Sequence, residues 1–247
     1  MFLKSRWYSN RLETEVTTAR WGVMGQPFLL LPTAGGDAEE IERWQMIRAL
    51  EPLLVAGRVK VYSCDSVAGQ AWFGKQGSPE HRMWLQDQFH WFIRDELVPA
   101  IWTDCRGELP IWTGGASIGA FHAAALVCRF PDMFTKALAM SGTYDLMRFC
   151  EIEHTTESYR RASPLHMVPR LEGAHLELLR TRYIHIATGE GRWENVGESW
   201  NLANVLGARG IPNYVDSWGP DWHHDWVTWR AMVPKYLDEW TQAEVHT

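Results

Sequence analysis

The 247-residue chain contains no uninterrupted apolar run of the roughly 18 residues that a membrane-spanning helix needs. It also lacks any cluster of Lys and Arg, and its net charge is -6. A nucleic-acid partner, which calls for a basic stripe, is therefore not expected. C-x-x-C is absent: Cys64, Cys105, Cys128 and Cys150 are widely spaced, which disfavours a redox motif or a zinc ribbon. The opening residues, MFLKSRWYSNRLETE, have none of the apolar core of a secretory signal. Together these absences predict a cytoplasmic location and reduced cysteines that pack as small apolar side chains. No repeat, low-complexity tract or linker divides the sequence, so one domain over residues 1–247 is expected, a length that α/β folds often fill alone. Such a chain can bury a large core without disulfides or metals.

What is present is ordinary in bulk, with 46% apolar and 22% charged residues, except for 15 tryptophans. Trp72, Trp193, Trp218 and Trp222 fall in segments that read as loops, where they either pin loop to scaffold or line a pocket. Strand-like and helix-like patterns alternate, which predicts a mostly parallel sheet with helices on both faces. Glu13 to Trp21 reads as an antiparallel edge strand, and Phe28 to Leu31 as a buried strand ending at Pro and Gly. Ile41, Trp44, Ile47, Leu50 and Leu54 then recur at helical spacing. Further strands are expected at Val59–Cys64, Leu109–Thr113, Ala137–Ser141, Tyr183–Ala187 and Pro212–Asp216. A loop is expected over 66–80, a long helix over His81–Ala100, helices over Ser117–Arg129 and Ser199–Arg209, and irregular or short-helical chain over 143–180. A last helix carries Trp226, Trp229, Val233, Leu237 and Trp240 on one face.

The most informative segment is LPIWTGGASIGAFHAAALV, which holds G-x-S-x-G at Gly115, Ser117 and Gly119. Five letters match by chance often, and an incidental serine in a Gly-rich turn is the plain alternative. Here the motif follows an apolar strand and opens an alanine-rich helix, the strand–turn–helix setting of a nucleophile elbow. The turn must lift the Ser117 hydroxyl clear of the backbone, and Gly115 and Gly119 have no side chains to collide there. The Ile118 N–H, at the start of the helix, then points to where an oxyanion would develop.

A serine hydroxyl needs a base, and in this architecture the order along the chain is Ser, acid, His. DSWGPDWHHDWVTWR lies between the last strand and last helix, with His223 and His224 adjacent. G-x-S-x-G followed by a late H-D-W-x-x-W resembles the esterase branch of the α/β-hydrolases, which includes esterase D-like, feruloyl esterase and mycolyltransferase enzymes. The resemblance runs from PFLLLPTAGG to the end of the chain. It implies an α/β-hydrolase fold and a serine hydrolase that cleaves carboxylic esters through an acyl-enzyme on Ser117. It also places the catalytic histidine directly before the D-W pair, hence His224, with His223 as a rim neighbour and the alternative base. A metal cluster of His223, His224 and Asp225 is the other possibility, disfavoured because contiguous residues converge poorly on one ion.

The acid is expected in the segment YIHIATGEGRWEN, at Glu190 or Glu194, or after the preceding strand at Asp145, a solvated loop charge being the plain alternative for each. Similarity to the mycolyltransferase pattern, with a glutamate several residues past the strand, implies Glu194; many related hydrolases have Asp there, and this loop has none. A second oxyanion donor is expected from Pro32-Thr33-Ala34-Gly35-Gly36, at backbone Ala34 or its neighbour Gly35. No cofactor or metal is expected, and the expected partner is a small-molecule or polymeric ester. An acyltransferase of the same fold and a non-catalytic hydrolase-like binding protein remain the competing readings.

Overall fold

A computed structural model describes residues 1–245, with side chains through residue 243. Eight strands form one sheet: β1 (Phe2–Ser9), β2 (Thr14–Trp21), β3 (Gln26–Leu31), β4 (Val59–Cys64), β5 (Ile111–Ala116), β6 (Phe134–Met140), β7 (Tyr183–Thr188) and β8 (Asn213–Ser217). Their order is β1-β2-β4-β3-β5-β6-β7-β8. β1 pairs antiparallel with β2, and β2 antiparallel with β4; every other pairing is parallel. The C-terminal ends of β3 to β8 therefore share one edge of the sheet, where binding sites of open α/β sheets gather.

The central strands are buried on both faces. In β3, Leu29 and Leu31 enter one core cluster while Phe28 and Leu30 enter the other, the period-2 alternation of a strand covered on both sides. The first cluster packs under α5 (Pro79–Phe92), which follows α4 (Val67–Phe73), and under α7 (Ile118–Arg129). Between α5 and α7 the chain runs through a π-helical turn (Ile93–Leu97) and α6 (Val98–Cys105). The second cluster packs under three short helices, α1 (Glu40–Arg43), α2 (Met46–Ala49) and α3 (Glu51–Val55), and under the last helix of the chain. After β6 come α8 (Leu146–Phe149), α9 (Glu157–Ala162), α10 (Pro164–Met167), a 3-10 turn (Val168–Arg170) and α11 (Gly173–Leu179). α12 (Val196–Gly207) joins β7 to β8, and α13 (Trp226–Val245) is the last helix.

Four expectations need correction. The edge strand is β1, and β2 lies inside it; β1 was invisible to pattern because its side chains are mostly exposed on both faces. The helix expected from Ile41 to Leu54 is three pieces, broken where Gln45 adopts a left-handed conformation (φ 62°). Half-exposed Trp44 then stacks on Trp226 (5.9 Å, 6°) instead of entering the core. The 66–80 loop contains α4, and Trp72 on it is buried. The long helix after it runs on to Cys105. The four cysteines are free thiols, with Cys64 and Cys128 buried. Among the described residues no helix is long and apolar enough to cross a membrane.

Candidate active site

Ser117 stands between β5 and α7 with φ 59° and ψ -120°, a strained conformation for a residue with a Cβ. Its N–H donates to Met140 O (3.0 Å) and its carbonyl accepts from Ala120 N–H (3.1 Å), so the neighbouring strand β6 and α7 both hold the turn. The glycines are steric necessities. A Cβ on Gly115 would meet the Gly119 carbonyl group at 2.4 Å, and one on Gly119 would meet the carbonyl oxygens of Leu31 and Pro32 at 2.6 and 2.7 Å.

The side chain opens on a cavity of about 420 Å³, which is within the range of ligand-binding pockets. Thr33, Ala34, Ile118 and His224 line it beside Ser117, and its walls are largely apolar, from Trp72, Phe73, Leu146, Phe149, Trp226 and Trp229. Of the four tryptophans first placed on loops, only Trp72 is part of this lining; Trp218 and Trp222 pack edge to face on each other (4.7 Å, 86°), and Trp193 is exposed. The N–H groups of Ala34 and Ile118 have no hydrogen-bond partner among the described residues. The Ala34 loop is fixed by Glu40 at the start of α1, whose carboxylate accepts from Thr33 N–H (2.8 Å) and from the Thr33 hydroxyl (2.6 Å). Burial pushes the Glu40 carboxyl up, and these hydrogen bonds oppose the shift.

The H-D-W-x-x-W segment has a mechanical explanation. Asp225 accepts from Val227 N–H (2.9 Å) and Thr228 N–H (3.1 Å), capping α13. His224 is the residue just outside that cap, and its ring meets Trp229 in the first turn edge to face (5.2 Å, 83°), in the manner of a hydrophobic staple. The base candidate is thus anchored to the end of a long helix. His223 faces elsewhere: its Nδ1 accepts from Arg192 N–H at 2.9 Å. Among the described residues no group of three or more His, Cys, Asp or Glu side chains is placed to hold a metal ion.

Glu194 is the carboxylate nearest the base candidate. Its Oε2 lies 3.7 Å from His224 Nδ1, and its side chain is 1% exposed against 23% for His224. That separation exceeds the hydrogen-bond range expected from sequence, and among the described residues no hydrogen bond joins Ser117 Oγ to His224. The rival acids are engaged elsewhere: Glu190 accepts from Ser217 Oγ (2.6 Å), and Asp145 caps α8 through Arg148 N–H (3.0 Å).

Pattern reasoning missed two residues that shape this corner. Ser141, just past β6, donates to Glu194 Oε1 (2.5 Å). Buried Glu198, in the first turn of α12, accepts from the backbone N–H groups of Tyr144 (2.8 Å) and Asp145 (2.9 Å), holding the strand-end loop. Burial, reinforced by Glu198 and Glu194, pushes the Tyr144 phenol far up, so that it stays neutral. A helical glutamate gives no sign in sequence of facing inward; the one available signal for Ser141 was its place at the end of a parallel strand.

The sequence matches no family model and no curated protein. Solved structures do match along nearly the whole chain. A ferulic acid esterase is 15% identical with a TM-score of 0.72, covering 98% of each chain. The chain has the α/β-hydrolase fold. An S-formylglutathione hydrolase from Agrobacterium tumefaciens is 13% identical (TM-score 0.72, 98% of this chain and 95% of that one). MPT51 of Mycobacterium tuberculosis is 15% identical (TM-score 0.71, 98% of each chain). Within this fold, the five positions singled out from sequence — Ser117, His224, Glu194, Ala34 and Ile118 — all lie beyond the C-terminal ends of β5, β8, β7 and β3.

Proposed function

We propose that the chain is a serine hydrolase of carboxylic esters, with Ser117 as nucleophile, His224 as general base and Glu194 as the acid. One observation carries this reading: Ser117 and His224 open on the same cavity as the two unpartnered amides of Ala34 and Ile118, with a buried carboxylate behind the imidazole. In the first half-reaction Ser117 Oγ attacks the ester carbonyl while His224 takes its proton. The carbonyl oxygen becomes an oxyanion between the two N–H groups. Collapse breaks the bond to the alcohol, which leaves with the proton from His224. Water, deprotonated by the same imidazole, then attacks the acyl-enzyme and releases the acid. Glu194 holds the tautomer and stabilises the imidazolium. That structural neighbours are named as esterases and hydrolases supports this class of reaction. The apolar lining favours small or medium acyl groups over charged ones.

A fluorophosphonate probe and a series of nitrophenyl esters of increasing acyl length test the proposal together. The wild type is expected to be labelled at Ser117 and to turn over at least one ester. Ser117→Ala should lose labelling and roughly three or more decades of kcat, with an unchanged melting temperature. Near-wild-type turnover by the alanine variant would reject Ser117 as nucleophile. An unlabelled wild type would point to a binding protein, and product formed with an added alcohol in place of water would point to an acyltransferase.

A further inference from the structure

The buried carboxylate of Glu194 sits at the end of a short chain of hydrogen bonds whose direction is dictated by chemistry. Trp229 Nε1 lies 2.9 Å from Ser141 Oγ, and Ser141 Oγ lies 2.5 Å from Glu194 Oε1. An indole N–H can only donate, and an ionised carboxylate can only accept. Ser141 must therefore accept from Trp229 and spend its single hydrogen on Glu194, which leaves its rotor no second choice. Gly189 N–H adds a longer contact to the same oxygen (3.3 Å). Oε2 is left differently. The Thr188 hydroxyl reaches it only at 3.4 Å and lies closer to the Gly189 carbonyl oxygen (2.9 Å). The ring nitrogen facing Oε2 is His224 Nδ1, at 3.7 Å.

We infer that Ser141 and Trp229 are positioning residues: Ser141, held by the Trp229 N–H, binds Oε1 of Glu194 and so presents Oε2 to His224. The inference rests on the triad reading given above. Trp229 acts on both partners, since its N–H begins the chain to the carboxylate while its ring edge supports the imidazole. The cost of the arrangement is visible in the backbone. Ser141 has φ 46°, a left-handed conformation for a residue with a Cβ, and its N–H is tied to Ala187 O (2.8 Å). Its side chain is buried, as is Trp229, so the indole N–H depends on Ser141 for its partner. The second tryptophan-bearing half of H-D-W-x-x-W thereby acquires a role in orienting the acid, besides capping geometry and packing.

The test uses Ser141→Ala, Trp229→Phe and Glu194→Gln singly, and the first two each combined with the third. Nitrophenyl butyrate kinetics, the rate of fluorophosphonate labelling at Ser117 and the melting temperature are measured for all five variants. Ser141→Ala and Trp229→Phe should each lower kcat and the labelling rate by about tenfold or more, the size of a lost hydrogen bond to a charged group. KM should stay within about twofold. Once Glu194 is Gln, either change should cost less than about twofold further, because the residues act as one unit. Ser141→Ala, which removes one oxygen atom, answers the question even if Trp229→Phe folds poorly. Wild-type kcat in Ser141→Ala, or losses that multiply fully with that of Glu194→Gln, would overturn the inference and leave the triad intact. Wild-type turnover in Glu194→Gln would remove the acid itself and the positioning role with it.

Discussion

A methyl group at position 119 would sit 2.6 Å from Leu31 O and 2.7 Å from Pro32 O, both backbone atoms that cannot rotate away. Gly119→Ala must therefore push the end of β3 from the elbow and carry Ala34 N–H away from Ile118 N–H. Overpacking of this kind costs about 1–3 kcal/mol, and the lost oxyanion geometry should lower kcat more than it raises KM. Urea denaturation with steady-state kinetics checks both; unchanged midpoint and kcat would mean that the turn relaxes without harm. At this scale the sequence was informative where a residue type is dictated by local backbone. Gly115, Ser117 and Gly119 announced themselves because only those residues suit the turn. Ser141 and Glu40 did not, since a serine or glutamate becomes functional only through long-range partners that no local pattern encodes.

The base and acid candidates ride on two loops, after β8 and after β7, that are clipped together. Gly191 N–H bonds Trp222 O (2.9 Å) and Glu190 N–H bonds Gly219 O (2.9 Å), while His224 N–H bonds Arg192 O (3.1 Å). The approach is so close that a Cβ on Gly191 would meet His223 Nδ1 at 2.0 Å and the carbonyl oxygens of Pro220 and Trp222 at 2.7 Å. Gly191→Ala is expected to prise the loops apart, lowering kcat at least tenfold while shifting the melting temperature little, because the clip lies outside both core clusters. A variant with wild-type kcat would show that the two loops hold their places independently. Among elements, the buried parallel strands and α13 were legible from their apolar runs and helical stripe. β1 and α4 were not. β1 exposes polar and apolar side chains alike on both faces at the sheet edge, and α4 is short and sits amid Gly and Ser, so both depend on tertiary contacts.

Among the described residues, burial lowers four imidazoles, those of His90, His122, His185 and, more exposed, His166. His90 on α5 and His122 on α7, side by side (Nε2 to Nδ1 3.0 Å), are both driven below the ordinary histidine value, His122 to about 3, and His185 to about 4. For His90 the Arg129 guanidinium adds to the effect of burial. An unfolded histidine takes its proton near pH 6.5, whereas these remain neutral in the fold. As pH falls below 6.5 the unfolded chain binds protons that the folded one cannot, and stability declines by about 1.4 kcal/mol per pH unit for each such group. Above pH 7 the contribution is flat. Melting temperatures between pH 8 and 4 should show a fall that begins near 6.5. An onset only below pH 5 would assign the acid sensitivity to carboxylates instead. Neither the depth of α7 nor the meeting of His90 with His122 could be read from the chain, because α7 is buried all round and its polar residues carry no mark of their surroundings.

The aromatic contact between His224 and Trp229 also gives the site an optical handle. A protonated imidazole quenches the emission of an indole it touches, and Trp72, Trp226 and Trp229 all border the space where an acyl group would displace water. Protonation of His224 and filling of the cavity would thus each alter the fluorescence of residues already in place, by different routes: one dims a single indole, the other shifts the colour of three. Occupancy and proton state could then be followed in the unlabelled wild-type protein during a single turnover, with Trp229→Phe identifying which part of the signal comes from the imidazole.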